Sequence, residues 1–307
     1  MIRVVFLGTA ASRPTVGRNV SAVLMRRLGE TLLFDCGEGT QRQMMRYGTG
    51  FALHDIFFSH MHADHLLGLP GLLRTMGLQG REEPMRLYCA RGERGIVDTA
   101  VHLGVERVPF PVEIRELEPG EAVERDGYDI VPFATRHGRH SLGYALVEHD
   151  RLGRFDPDRA RELGVPEGPL WGRLHRGEAV EVDGRTIDPD AVVGDARPGR
   201  RVVYTGDTRP QPGTIEHARD ADLLIHEATF AEEEAVRARE TEHSTAREAA
   251  SVAKEAGARR LVLTHISPRY GLDPTPLEQE ARAVFPGTVV ARDGMELEIP
   301  YPDADDG

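Results

Sequence analysis

With 307 residues, 40% hydrophobic and 6% aromatic, the chain can hold one large α/β domain or two modest ones, and no apolar run approaches the roughly 18 residues of a membrane span. A formal net charge of −12 argues against a protein that coats nucleic acid, and two cysteines, Cys36 and Cys89, cannot build a disulfide framework. Lys254 is the only lysine among the 38 basic residues, a bias that fits either a GC-rich genome or a high-salt cytoplasm.

In chain order, strands are predicted at 2–7, 21–25, 31–34, 55–59 and 86–89, with helices at 41–46, 66–76 and 93–102. The opening run reads as a strand rather than a secretion signal, so the cytoplasm is the expected compartment. From 148 to 199 glycine and proline recur every few residues between scattered charges, which breaks long core elements and predicts a protruding insertion rather than a second domain. Apolar strands at 201–204, 222–225 and 260–263 follow, separated by helices near 231–239 and 245–256. Ser244-Thr245 makes a helix N-terminus and Gly257 a stop, which leaves His243 in a loop. Residues 303–307 read as a solvated tail. The fold class is α/β, in one domain spanning 1–307 with the 148–199 insertion.

The strand at 55–59 runs directly into His60-Met61-His62-Ala63-Asp64-His65. Three imidazoles and a carboxylate within six residues suit a borderline metal such as zinc. A bend after the strand can aim His60 and His62 at one ion while Asp64 and His65 turn towards a neighbour. One turn cannot encircle two ions, so distant ligands are required. His137, Asp207 and His265 each follow an apolar strand and precede a loop, where α/β sheets collect functional groups. A solvated histidine-rich turn is the bland alternative for the cluster.

The 60–65 motif, Thr205-Gly206-Asp207 and Thr264-His265 resemble the ligand motifs of the metallo-β-lactamase superfamily. Within it the chain resembles the ribonuclease Z family, through Leu7-Gly8-Thr9, Arg18-Asn19-Val20-Ser21, Asp35-Cys36-Gly37-Glu38-Gly39-Thr40-Gln41, His226-Glu227-Ala228-Thr229 and His243-Ser244-Thr245. The likeness covers the chain from Ile2 to about Glu298. It implies an αββα sandwich with a flexible arm. It also implies two zinc ions per subunit, with manganese as a substitute: one on His60, His62, His137 and Asp207, the other on Asp64, His65, Asp207 and His265. His137 rather than His140 is the ligand by its distance from Gly143, and His140 is placed behind it.

The implied reaction is attack by a zinc-bound hydroxide on a phosphodiester, releasing the 3′ trailer of precursor tRNA and leaving a tRNA 3′-hydroxyl and a 5′-phosphorylated trailer. Asp64 would take the proton from water, and His243 would protonate the leaving oxygen, oriented by Glu227. A strand-end carboxylate capping a helix is the other reading of Glu227, and a core histidine that of His226. The remaining histidines, at 54, 102, 149, 175 and 217, are assigned to surface or packing.

Substrate contacts are expected from the arm, which grips tRNA with Arg154, Arg173, Gly168 and Pro169, and from Arg18 and Asn19 near the scissile phosphate. A solvated charged loop competes with the first, a buried structural arginine with the second. The family's preceding-loop lysine has no counterpart in Pro14-Thr15-Val16-Gly17. A homodimer follows from the resemblance alone. Another hydrolase of the superfamily, acting on small phosphodiesters or thioesters, is the alternative function, and a non-catalytic zinc or RNA-binding protein the weakest one.

Overall fold

The computed structural model describes residues 1–105 and 107–301, so the tail expected at 303–307 lies outside the described residues. The chain forms two compact units, one from residues 1–147 with the chain from 201 onward, the other from 148–200.

Two seven-stranded mixed sheets build the first unit. In the first sheet the order is Glu296–Ile299, Ile2–Gly8, Ala22–Arg27, Glu30–Phe34, Asp55–Phe57, Met85–Ala90, Val112–Leu117. In the second it is Thr288–Val290, Leu261–Thr264, Leu223–Glu227, Arg201–Tyr204, Leu142–Glu148, Tyr128–Ala134, Val123–Arg125. Alternation along the strands sends side chains to both faces. Ile2, Val4 and Phe6 join Phe34, Phe57, Tyr144, Tyr204 and Ile225 in the core shared by the two sheets. Val5 and Leu7 face the other way, packing with Leu69, Leu72 and Met76 of the Leu69–Leu78 helix. The outer face of the second sheet packs on the alanine-rich Ala246–Ala256 helix. The layers are therefore helix, sheet, sheet, helix, the metallo-β-lactamase arrangement. Among the described residues no helix is long and apolar enough to cross a membrane.

Topology places the chemistry. Arg201–Tyr204, Leu223–Glu227 and Leu261–Thr264 pair in parallel, so their carboxyl ends share one edge. Asp207 and His265 follow the first and last, and Glu227 ends the middle strand.

One predicted helix divides. The run expected at 66–76 is a four-residue helix, Ala63–Leu66, then Leu69–Leu78. Between them Gly68 packs so closely that a Cβ there would lie 2.0 Å from the Gly37 carbonyl oxygen, and its N–H donates to the Cys36 carbonyl at 2.8 Å. The break lets the short helix turn Asp64 and His65 independently of the longer one.

In the second unit the elements are short, as so many turn formers predict. Glycine and proline cut the chain into helices Pro157–Glu162 and Pro169–His175 and a hairpin of Val180–Val182 with Arg185–Ile187. These short pieces still enclose Ala160, Val165, Leu174, Val180, Ile187 and Val192. Trp171 packs on Phe155 at 5.2 Å and its Nε1 donates to the Val165 carbonyl at 3.1 Å. The buried Arg200 pairs with Glu148 through Nε at 2.7 Å and Nη2 at 2.8 Å.

Candidate metal centre

Asp207 stands at the middle of the cluster, 3% exposed. Its Oδ2 lies 3.6 Å from His60 Nε2, 3.8 Å from His137 Nε2, 3.4 Å from His65 Nε2 and 3.3 Å from His265 Nε2. Its Oδ1 is buried with no hydrogen-bond partner. On one side His62 Nδ1 is 2.9 Å from His60 Nε2 and 3.2 Å from His137 Nε2. On the other, Asp64 Oδ2 is 3.3 Å from His265 Nε2 and 3.6 Å from His65 Nε2, and those two imidazole nitrogens are 3.4 Å apart. Three groups that could hold an ion follow: His60, His62, His137 and Asp207; Asp64, His65 and His265; and Asp207, His243 and His265, the last sharing members with the other two.

Hydrogen-bond partners fix which imidazole nitrogens carry protons. Ser59 Oγ, Tyr204 Oη and His65 Nδ1 all reach Asp35 Oδ2, at 2.8, 2.6 and 2.7 Å. Since the Ser59 hydroxyl is spent on Asp35, it can only accept from His60 Nδ1, 3.0 Å away. Thr229 Oγ1 likewise donates to Glu227 Oε2 at 2.7 Å and accepts from His265 Nδ1 at 2.8 Å. His137 Nδ1 donates to the Glu242 carbonyl at 3.0 Å. In each of these four rings Nδ1 is engaged as the donor, so a ring in its neutral form aims its Nε2 lone pair at the centre; against burial, Asp207 and Asp35 push His65 well up, and a cation on its Nε2 would take the place of that proton. Lone pairs of these rings and the Asp207 carboxylate facing one another at 3.3–3.8 Å repel unless a cation lies between them. Metal–nitrogen bonds of about 2.0–2.1 Å in a tetrahedron put neighbouring donors about 3.3 Å apart, so the residues fit divalent ions.

Burial disfavours charge on Asp207, but the His265 and His65 imidazoles outweigh it and hold its carboxyl well below the ordinary range. Burial pushes His60 well down, towards the neutral form a ligand needs.

His243 lies beside the cluster, its Nδ1 3.9 Å from Asp207 Oδ2. It precedes a helix whose N-cap Thr245 forms a capping box with Glu248. Its Nδ1 donates to Glu227 Oε1 at 2.8 Å. Burial opposes protonation, yet the Glu227 carboxylate reverses that and pushes His243 up to about 9. Glu227, fully buried, also accepts the Thr208 N–H at 2.8 Å and the Ser244 N–H at 3.1 Å. It thus orients His243 and ties two loops together. His226 is a buried core histidine, its Nδ1 on the Glu227 carbonyl at 2.7 Å.

Other expected residues are placed differently. Arg18 is 7% exposed, with Nη1 donating to Thr9 Oγ1 at 2.7 Å and to the Ala291 carbonyl at 2.5 Å, which fits the buried structural arginine rather than a phosphate contact. Asn19 supports the neighbouring turn, its Nδ2 on the Glu38 carbonyl at 2.8 Å. His140, expected behind His137, is exposed and faces Gly92. In the second unit Arg154, Gly168 and Pro169 are exposed, Gly168 at φ 129 ahead of the helix that Pro169 starts. Arg173 is also exposed and pairs with Glu178 at 3.0 Å, as Arg161 does with Asp158 at 2.6 Å and Arg159 with Glu162 at 2.8 Å. This unit holds nine arginines against twelve carboxylates, so its arginines are not a net positive patch.

Sequence reasoning assigned no role to Asp35, Ser59, Tyr204, Thr229 or Arg209. Arg209 Nη1 bonds both the His243 carbonyl at 2.6 Å and Glu248 Oε2 at 2.7 Å. Asp35 stood in a quoted motif at a strand end, but its φ of 59 and its four donors, the Ser59 N–H among them, become visible only in the fold.

Comparison with known proteins agrees with this geometry. The family described as beta-lactamase superfamily domain matches residues 183–266, and that described as anti-Pycsar protein Apyc1 matches 2–152. A ribonuclease Z of Gemmatimonas aurantiaca is 64% identical over 96% of this chain and 95% of its own. One of Haloferax volcanii is 54% identical over 100% and 98%. The crystal structure of human tRNase Z, short form, superposes with a TM-score of 0.70 at 30% identity, covering 97% of this chain and 99% of that one.

Proposed function

The chain belongs to the ribonuclease Z family, metal-dependent endoribonucleases of the metallo-β-lactamase fold, and from that premise we propose that it removes the 3′ trailer of precursor tRNA using two zinc ions. The observation that carries this reading is the His243–Glu227 pair at 2.8 Å beside the Asp207-centred cluster, which supports a proton donor next to the groups that would hold metal.

His60, His62, His137 and Asp207 would hold one ion and Asp64, His65 and His265 the other, and Asp207 Oδ2, 3.4 Å from His65 Nε2 and 3.3 Å from His265 Nε2, would serve the second as well. When bound, the ions supply Lewis acidity, making water nucleophilic and neutralising charge on the phosphoryl oxygens. Asp64, its Oδ2 steadied by the Ser12 N–H at 2.7 Å, accepts the proton that water loses. His243 keeps Nδ1 on Glu227 and delivers a proton from Nε2 to the departing 3′ oxygen. A tRNA 3′-hydroxyl and a 5′-phosphorylated trailer result. The reading extends to the 148–200 unit as the arm that grips tRNA through Arg154, Arg173, Gly168 and Pro169, to a homodimer, and to a cytoplasmic setting.

Incubating the purified protein with 3′-extended precursor tRNA, with and without chelator, and mapping both product ends tests the proposal. Chelator-sensitive cleavage that leaves a 3′-hydroxyl on the tRNA is expected. Cleavage indifferent to chelator, or none after zinc or manganese is restored, rejects it.

A further inference from the structure

The geometry points to a nucleotide subsite in the cleft beside His243, where Arg13, Arg237 and Arg269 take the backbone phosphates of the nucleotide whose 3′ oxygen leaves. The inference rests on the endoribonuclease reading above and adds where the RNA chain runs.

The cleft has a volume of about 490 Å³, within the range of small-ligand sites, and His243, Phe230, Ser12 and the three arginines bound it. Two further contacts join it to the metal centre. The Ser12 N–H reaches Asp64 Oδ2 at 2.7 Å, and Thr229, also in the wall, lies 2.8 Å from His265 Nδ1 through its Oγ1. A strand of RNA with its scissile phosphate at the ligand cluster can therefore continue into this cleft. Direction follows from the proton donor. Glu227 occupies His243 Nδ1, so Nε2 is the atom left for substrate, and the oxygen it protonates belongs to the leaving nucleoside. The nucleoside on the His243 side is accordingly the 3′ end of the tRNA body, not the first residue of the trailer.

Charge supports the assignment. Arg13 and Arg237 are exposed, and no ion pair or side-chain hydrogen bond engages their guanidinium groups among the described residues. Arg269 approaches only Glu234, at 3.9 Å. The arginines at 159, 161 and 173 differ, each with a carboxylate within 3.0 Å. An unpaired guanidinium gives up no partner when a phosphate arrives, and its fork matches two phosphate oxygens. No carboxylate lines the cleft among the described residues, whereas Glu233, Glu234 and Glu240 stand with Arg237 in the adjoining hollow, so the cleft wall itself is where a phosphate meets guanidinium groups alone. Phe230 adds a flat apolar wall, with the Arg269 guanidinium 6.0 Å from its ring centre and the His243 ring at 6.2 Å. Bases of single-stranded RNA stack on such aromatic and guanidinium planes.

The test compares the wild type with R13A/R237A and R13K/R237K. Wild-type protein must first cleave 3′-extended precursor tRNA, and failure there rejects the endoribonuclease reading together with the subsite. Given cleavage, the alanine pair should raise KM for precursor tRNA by roughly tenfold or more. It should flatten the dependence of log affinity on log salt by about 1.4, near 0.7 for each lost single-strand contact. Inhibition by mature tRNA should weaken by a similar factor, while inhibition by a 5′-phosphorylated trailer and hydrolysis of bis(p-nitrophenyl) phosphate stay unchanged. The lysine pair should keep the salt slope. An unchanged tRNA KM and slope, equal loss on the small diester, or weakening confined to the trailer would each overturn the assignment while leaving the endoribonuclease reading intact.

Discussion

In the candidate metal centre His60, His65, His137, Asp207 and His265 are each at most 5% exposed, and the four imidazole Nε2 atoms converge within 3.8 Å of Asp207 Oδ2. In the 148–200 unit, Arg159 and Arg161 are about half exposed, and each holds a carboxylate of its own unit. Both regions are dense in ionisable residues, yet they use them in opposite ways. Burying polar groups without mutual neutralisation costs several kcal/mol, and that cost is borne where an ion compensates it. Exposed pairs cost little and contribute little. Burial with unmatched lone pairs, more than the number of charges, therefore distinguishes a site from a solvated surface.

The comparison breaks most sharply at Asp207. Asp207→Ala should cost about 10³-fold or more in kcat and lower metal content, since both ligand groups lose their shared carboxylate. Retained metal and activity, by elemental analysis and precursor cleavage, would remove the basis for a dinuclear centre. His243→Ala should lower kcat for tRNA about 10²- to 10⁴-fold and keep metal content, with a far smaller loss on a diester whose leaving group is p-nitrophenol. Equal losses on the two substrates would show that His243 does not protonate the leaving oxygen.

Asp35→Ala should weaken metal affinity about 10- to 100-fold, because His65 then loses the partner that fixes its tautomer. A competition titration with a chromophoric chelator reads this directly. In the other unit, Leu174→Ala should destabilise by about 2–5 kcal/mol in denaturant melts, since Leu174 is fully buried among Ala160, Val165 and Val180. Arg161→Ala should leave the denaturant midpoint unchanged despite its two carboxylate neighbours, Asp158 and Glu167. If these two outcomes were reversed, surface pairing rather than the small apolar core would hold that unit together.

Much of this was legible along the chain because the signals are local. Six consecutive residues supply four of the clustered imidazole and carboxylate side chains, and a strand that ends at Phe57 delivers the chain to them. His243 could be put in a loop because Thr245 and Gly257 bracket the helix that follows. What was illegible depends on contacts between distant segments. The break at Gly68 arises from a close approach to Gly37, 31 positions earlier, and helical periodicity does not register it. Arg18 reads as a surface phosphate ligand until the fold closes Thr9 and Ala291 around its guanidinium. The core of the 148–200 unit was hidden because its apolar residues sit singly between turns, too sparse to show a period.

Stepwise return of zinc to metal-free protein, followed by isothermal calorimetry and precursor-tRNA cleavage on the same samples, tests the two-ion centre most directly. Two equivalents per chain are expected, with cleavage emerging only as the second site fills. Full cleavage at one equivalent, or binding that saturates at one, would contradict it.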